Sequence, residues 1–302
     1  MKLVTFTPLA NAAGTAGQST SSRVGLLTGG GVIDLTQAAP ELPADMLSFI
    51  EAGAEAVKMA ESVSGTAPHY GIADVSLSAP IKRPPKIIAI GLNYRAHAAE
   101  SNMELPKVPL VFTKQSTSVT GPYDPIFWSE EGKALDYEGE LAIVIGKRCR
   151  RVPKASAQQV ILGYTVLNDV SVRDWQLRGT PPSFTMGKSW DSHCPIGPSI
   201  TVDPALDPHA LQLTTHVNGE LRQATGTDDL IFDCFELIEF LSTAFTLEPG
   251  DIIATGTPSG VGFAQKPQAP LVIGDKVKVA ITGLGEIENE VIQEPADRAQ
   301  FF

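Results

Sequence analysis

Two acidic side chains one residue apart on an extended segment give the first chemical signal. Residues 135–147 read LDYEGELAIVIGK, and the apolar run LAIVI marks a strand. Alternate residues of a strand share a face, so Glu138 and Glu140 project to the same side, their carboxylates a few ångströms apart. Like charges that close repel in a partly dry setting; the pair is tolerated when one acid protonates or a cation sits between them. Asp169 ends a second strand-like run, residues 161–170 (ILGYTVLNDV). If the two strands are neighbours, three carboxylates converge. An all-oxygen set of that kind suits Mg²⁺, Mn²⁺ or Ca²⁺ and leaves positions for water or substrate. The plain alternative is a solvated strand face with the aspartate elsewhere.

Residues 91–100 (GLNYRAHAAE) place His97 and Glu100 three apart on a helix that Asn93 is placed to cap. A carboxylate beside an imidazole orients it and raises its basicity, as a proton-abstracting base requires. An incidental pair on a surface helix has the same spacing. Lys188, in MGKSWDSHCPIGP, follows Gly187, Pro181 and Pro182, which predict an irregular loop. From there it can face an anionic substrate or a developing enolate, or simply solvent. Residues 250–262 (GDIIATGTPSGVG) read as a strand running into a glycine-rich turn. Thr257 in that turn offers a hydroxyl and an amide to a carboxylate, although a tight turn with no ligand fits equally well. The sequence holds no GxGxxG, Walker, GxSxG, HExxH or CxxC motif, and its five histidines are dispersed.

The elements that must hold these residues are mostly strands. Strand candidates cover residues 87–91, 110–113, 138–145, 163–170, 212–217, 251–255 and 276–281, with Asn218-Gly219 as a two-residue hairpin turn. Helical periodicity is confined to residues 44–62 and 232–245, the second favoured at its start by Asp228 or Asp229. Two small strands joined by a glycine turn, residues 24–35, precede the first helix. The proline-rich stretch 74–86 reads as a linker. The expected fold is α+β and β-rich, with a small N-terminal α/β domain over residues 1–80 and a catalytic domain over 81–302.

The chain of 302 residues carries a formal charge of −11, with 43% hydrophobic and 19% charged residues, a globular composition. The acidic balance argues against a nucleic-acid partner or an anionic membrane surface. No apolar run is long enough to span a bilayer, and the opening MKLVTFTPLANAAG lacks the profile of a cleaved signal. Three unpaired cysteines, Cys149, Cys194 and Cys234, lead to the expectation of a cytoplasmic protein with reduced thiols.

Taken in order, GLNYRAHAAE, PLVFTKQSTSVTGP, LDYEGELAIVIGK, GYTVLNDVSVRDWQ, MGKSWDSHCPIGP and GDIIATGTPSGVG resemble the fumarylacetoacetate hydrolase family, including its hydroxyheptadienedioate isomerase-like branch. The resemblance covers about residues 85–285. It implies a mixed β-roll, commonly dimeric, with a variable N-terminal addition. It implies that Glu138, Glu140 and Asp169 hold a divalent ion, usually Mg²⁺ or Mn²⁺ with Ca²⁺ as a stand-in in crystals. It implies that His97 and Glu100 form a water-activating dyad on a lid, that Lys188 is the active-site lysine, and that Arg173, Gln176 and Thr257 contact substrate or support the site. The chain departs from the family at Gln115, where members commonly carry proline after the lysine. The reaction so implied is hydrolysis of a C–C bond in a 2,4-dioxo acid such as an acylpyruvate, through an enolate steadied by the ion and Lys188. Oxaloacetate decarboxylation or hydroxydienedioate isomerisation on the same site, or a metal-binding protein without turnover, are the rival readings.

Overall fold

The computed structural model describes residues 1–10 and 21–299; residues 11–14 of the N-terminal run read above lie outside them. The chain opens with β1 (Lys2–Pro8), β2 (Arg23–Thr28) and β3 (Gly31–Asp34), then α1 (Leu35–Ala38), α2 (Met46–Glu51), α3 (Ala54–Ser62) and β4 (Val75–Ser78). Next come β5 (Ile87–Gly91), α4 (Arg95–Glu100), β6 (Leu110–Lys114), β7 (Val119–Thr120), β8 (Ile126–Trp128), β9 (Leu135–Asp136) and β10 (Gly139–Ile145). The middle holds β11 (Ile161–Asn168), β12 (Ser171–Val172), α5 (Arg173–Gln176), α6 (Phe184–Lys188) and β13 (Cys194–Thr201). The last third holds β14 (Gln212–Val217), β15 (Glu220–Gly226), α7 (Cys234–Ala244), β16 (Ile252–Ala254), β17 (Lys276–Ile281), β18 (Gly285–Gln293) and α8 (Ala296–Ala299).

Among the described residues, eleven strands form one mixed sheet, ordered β3-β2-β1-β13-β11-β10-β16-β5-β6 with β4 on β1 and β7 on β13. A second sheet runs β15-β14-β17-β18-β8. The two bury a common core. Leu141, Ile143, Ile145 and Val166 of the large sheet meet Leu213, Val277, Val279, Ile281 and Ile287 of the small one, and α7 adds Leu237, Ile238 and Leu241. The opposite face of β10 is buried too, Ala142 beside Ala89, Leu167 and Ala254. Coverage on both faces explains why LAIVI is apolar throughout instead of alternating. The molecule is α+β and sheet-dominated, and no helix among the described residues is long and apolar enough to cross a membrane.

Local details differ from the sequence reading for identifiable reasons. The helix expected over 44–62 is two helices, because Gly53 adopts φ 75° and breaks the run between α2 and α3. The start of α7 is set by Asp233, not by Asp228 or Asp229: its carboxylate accepts from the Phe235 and Glu236 amides, and Glu236 returns a bond to the Asp233 amide. Asn93 does not cap α4; its side chain instead ties Phe232 to Thr255. The proline-rich stretch includes β4, and β1 pairs with β13 through Lys2↔Thr201 and Leu3↔Ile200, so the large sheet runs across residue 80. Asn218 and Gly219 occupy the left-handed region at φ 52° and 81°, as the hairpin turn requires.

Candidate metal centre and active site

The antiparallel register of β10 and β11 decides whether the acids meet. Gly139 faces Asn168 and Glu140 faces Leu167, and the Asp169 amide donates to the Glu138 carbonyl at 2.8 Å. Glu138 therefore stands opposite Asp169 at the same strand end. Carboxylate oxygens of Glu138, Glu140 and Asp169 lie within 4.8 Å of one another, and all three residues are buried.

Three cations enter this cluster from separate elements. Lys188, at the end of α6, donates to Glu138 at 2.6 Å, Asp169 at 2.8 Å and the Ser171 hydroxyl at 2.8 Å. Lys114, the last residue of β6, donates to the other Asp169 oxygen at 2.7 Å and to the Lys188 carbonyl. Arg173, opening α5, donates to Asp136 at 2.7 and 2.9 Å, to Glu138 at 2.7 Å and to the side-chain amide oxygen of Gln176 at 2.9 Å. Four acids thus face three cations, and among the described residues Glu140 is the one without an ion pair; its partner is the Gly256 amide at 2.7 Å.

The electrostatics follow. Burial pushes Glu138 upward, but Lys188 and Arg173 outweigh it and hold its carboxyl down at about 2. Glu140 is driven well above the ordinary carboxylate range by burial and then by the charges of Asp169 and Glu138. Burial works against the Lys188 charge, yet Asp169 and Glu138 hold its pKa above the usual lysine value. A buried acid that lacks a cation, close to two other carboxylates, fits a divalent ion with hard-oxygen preference. Glu138, Glu140 and Asp169 are the residues that would hold it.

A cavity of about 130 Å³ opens onto the cluster, lined in part by His97, Glu138, Arg173, Gln176, Lys188 and Thr257. Leu92, Met103, Leu110 and the stacked pair Phe112–Phe184 make the rest apolar. Leu92 sits there at φ 55°, a conformation that costs a leucine about 1 kcal/mol. A larger cavity, about 570 Å³, lies between α2, α3 and the turn into β11 and is lined by none of the four acids, so size does not locate the chemistry here. His97 Nδ1 is 3.3 Å from Glu100, whose carboxylate also accepts from the Gly260 amide at 3.0 Å; the short helix α4 is thereby latched to the glycine-rich loop. The Thr257 hydroxyl is occupied within the protein, donating to the Gly139 carbonyl and accepting from Gln223.

Sequence reasoning passed over Lys114, Asp136 and Gln223. Asp136 continues the alternation of Glu138 and Glu140, and its carboxylate gathers Arg173 with the Gly262 and Phe263 amides. Lys114 ends a strand that opens with the apolar run LVF and is itself buried, where a lysine needs an acid partner. Nothing local marks Gln223.

The family model for the fumarylacetoacetate hydrolase C-terminal domain matches residues 86–292. Rat oxaloacetate tautomerase Fahd2a, mitochondrial, is 42% identical over 266 residues, covering 87% of this chain and 85% of the relative. The Xenopus laevis oxaloacetate tautomerase fahd2, mitochondrial, is 42% identical over 278 residues, covering 91% and 87%. Among solved structures, maleylpyruvate hydrolase from Sphingobium sp. SYK-6, in complex with manganese(II) and pyruvate, superposes with TM-score 0.77 at 33% identity, covering 98% of this chain and all of that one. Fumarylacetoacetate hydrolase from Exiguobacterium antarcticum gives 0.80 at 34%, covering 97% and 100%. The mitochondrial names of the relatives overturn the cytoplasmic expectation: sparse reduced cysteines distinguish reducing from oxidising surroundings and cannot tell one reducing compartment from another. Sequence, fold and family model agree that the chain belongs to the fumarylacetoacetate hydrolase family, whose relatives include an enzyme solved in complex with manganese(II).

Proposed function

We propose that the protein interconverts the keto and enol forms of a 2-oxo acid of the oxaloacetate type, using a divalent ion held by Glu138, Glu140 and Asp169. The observation that carries proton transfer at this site is the His97–Glu100 pair, 3.3 Å apart, with His97 lining the cavity that also exposes Glu138 and Lys188; the choice of tautomerisation rests on the relatives. A divalent ion held there would supply Lewis acidity, stabilising negative charge as it develops on the 2-oxo oxygen.

The residues do the rest. Lys188 places a positive charge beside the carboxylates, where the charge of an enolate oxygen develops. His97, oriented by Glu100, moves the proton at C3: its imidazolium protonates that carbon while the enol hydroxyl proton passes to water, from which the imidazole is reprotonated. In reverse the imidazole takes a C3 proton while water returns one to the oxygen. No electron leaves the substrate and no bond between carbons breaks. Phe112, Phe184 and Leu110 exclude water from the carbon that receives the proton. An expectation of hydrolysis rests on the dyad being needed to activate water, but a tautomerase needs the same base for a carbon-bound proton. The dyad therefore does not separate the two reactions, and the names of the relatives favour tautomerisation. Hydrolysis of a dioxo acid is the second reading, favoured by the likeness to maleylpyruvate hydrolase.

The test follows the enol absorbance of oxaloacetate with Mn²⁺ and after EDTA, alongside coupled assays for pyruvate release and for acylpyruvate cleavage. The reading expects metal-dependent enol decay faster than pyruvate release. Enol decay at the uncatalysed rate, with cleavage of an acylpyruvate, overturns it in favour of hydrolysis.

A further inference from the structure

The glycine between the two glutamates is gripped from the opposite sheet. Period-2 alternation that turns Glu138 and Glu140 to the acid cluster turns Gly139 to the small sheet. A Cβ there would lie 2.3 Å from the Thr215 hydroxyl and 2.9 Å from Val279, so only glycine admits this approach. Gln223 alone in β15 is buried, and its amide oxygen accepts from the Gly139 amide at 3.0 Å. Its nitrogen donates to the Thr257 hydroxyl at 2.8 Å and to the Pro258 carbonyl at 3.0 Å. The Thr257 hydroxyl closes the ring by donating to the Gly139 carbonyl at 3.0 Å. Gly139 N–H can only donate and Pro258 C=O can only accept, which fixes the orientation of the Gln223 amide.

The two peptides held this way are those from which Glu138 and Glu140 extend. Their carboxylates repel each other and Asp169, and the residue between them is the one with the freest backbone. We propose that Gln223, with Thr257, is a positioning residue of the metal centre, holding the Gly139 pivot so that both carboxylates meet one ion. The proposal rests on the metal reading of the acid cluster. Gln223 touches neither substrate nor ion; it acts through the backbone.

The test is Mn²⁺ binding to the full-length protein by titration calorimetry and electron paramagnetic resonance, with no substrate present. Gln223→Met keeps length and removes all three bonds; its Kd should rise roughly 10- to 100-fold, the range for residues that orient ligands. Thr257→Val should weaken binding in the same direction, and Thr257→Ser, which keeps the hydroxyl, should restore it. Because the two residues form one ring, Gln223→Met with Thr257→Val should cost less than the product of the single fold-changes. A folded Gln223→Met protein binding Mn²⁺ within twofold of wild type overturns the proposal, as does a strictly multiplicative double variant. If Gln223→Met does not fold, the Thr257→Val and Thr257→Ser pair decides: unchanged affinity in both overturns it. Wild-type protein that binds no Mn²⁺ refutes the metal reading itself, a distinct result.

Discussion

At the scale of single residues the site is an exercise in unequal carboxylates. Glu138 is held ionised by Lys188 and Arg173, whereas Glu140 has only the Gly256 amide and a raised pKa. A buried acid whose pKa is raised by folding opposes stability above its unfolded pKa, and the penalty grows as pH rises toward the folded value. Glu140→Gln is therefore expected to raise the melting temperature of the metal-free protein at neutral pH while abolishing Mn²⁺-dependent stabilisation and activity. Calorimetric scans with EDTA and with Mn²⁺ check both halves, and an active, metal-responsive Glu140→Gln enzyme would remove the acid cluster from the chemistry. His97→Ala should behave oppositely: Mn²⁺ affinity within about twofold of wild type, with turnover reduced on the order of 10²- to 10⁴-fold, the usual worth of a general base. Normal turnover by that variant would take the dyad out of the mechanism.

At the scale of elements, short pieces with strong local anchors carry the site. Helix α4 has six residues and cannot persist on its own. It is held by Glu100 on Gly260 and by Asp229, which accepts from the Ala96 amide while the Asp229 and Leu230 carbonyls accept from Arg95. Helix α7 shows what a proper cap contributes. Burial raises the Asp233 pKa, but the hydrogen bond from Lys154 and the Glu236 amide lower it further than burial raises it. A depressed folded pKa contributes stability that is present above the unfolded value, near 4, and is lost as pH falls through the folded value. Asp233→Ala should cost about 1 kcal/mol at neutral pH, while Asp233→Asn should keep the cap and flatten that part of the acid limb. Urea unfolding between neutral pH and pH 3 reads both; an unchanged acid limb in Asp233→Asn would assign it to other carboxylates.

At the scale of the whole molecule, folding and the candidate metal are linked, because the three acids lie in or beside the adjoining ends of β10 and β11, whose register exists only in the folded chain. An ion that binds the folded state alone adds stability as RT ln(1 + [M]/Kd), roughly 2.7 kcal/mol at a hundred times Kd. The midpoint of thermal unfolding should therefore climb with Mn²⁺ concentration and fall back with EDTA. A midpoint indifferent to Mn²⁺ would mean that the cluster is neutralised by Lys114, Lys188, Arg173 and a proton alone.

How far the sequence reaches depends on how local each cause is. Strand β10 was legible because an apolar run covered on both faces leaves a five-residue signature, and the hairpin at Asn218-Gly219 because two left-handed residues need those side chains. The β13 strand was not legible: Pro195 and Pro198 argue against a central strand, and only the sheet on both sides overrides them. Strand β18 carries a sequence signal as well, Ile287, Asn289 and Val291 alternating inward between exposed glutamates, although it lies outside the strand candidates given above. The residue types of the candidate site, and the shared face of Glu138 and Glu140, followed from the chain alone, since alternation along a strand is a property of the backbone. That Asp169 meets them, that Glu140 is the acid left without a cation, and that Gln223 grips the glycine between the glutamates were decided by tertiary structure. Those facts depend on register between strands and on the approach of two sheets, and packing fixes such distances among residues far apart in the chain.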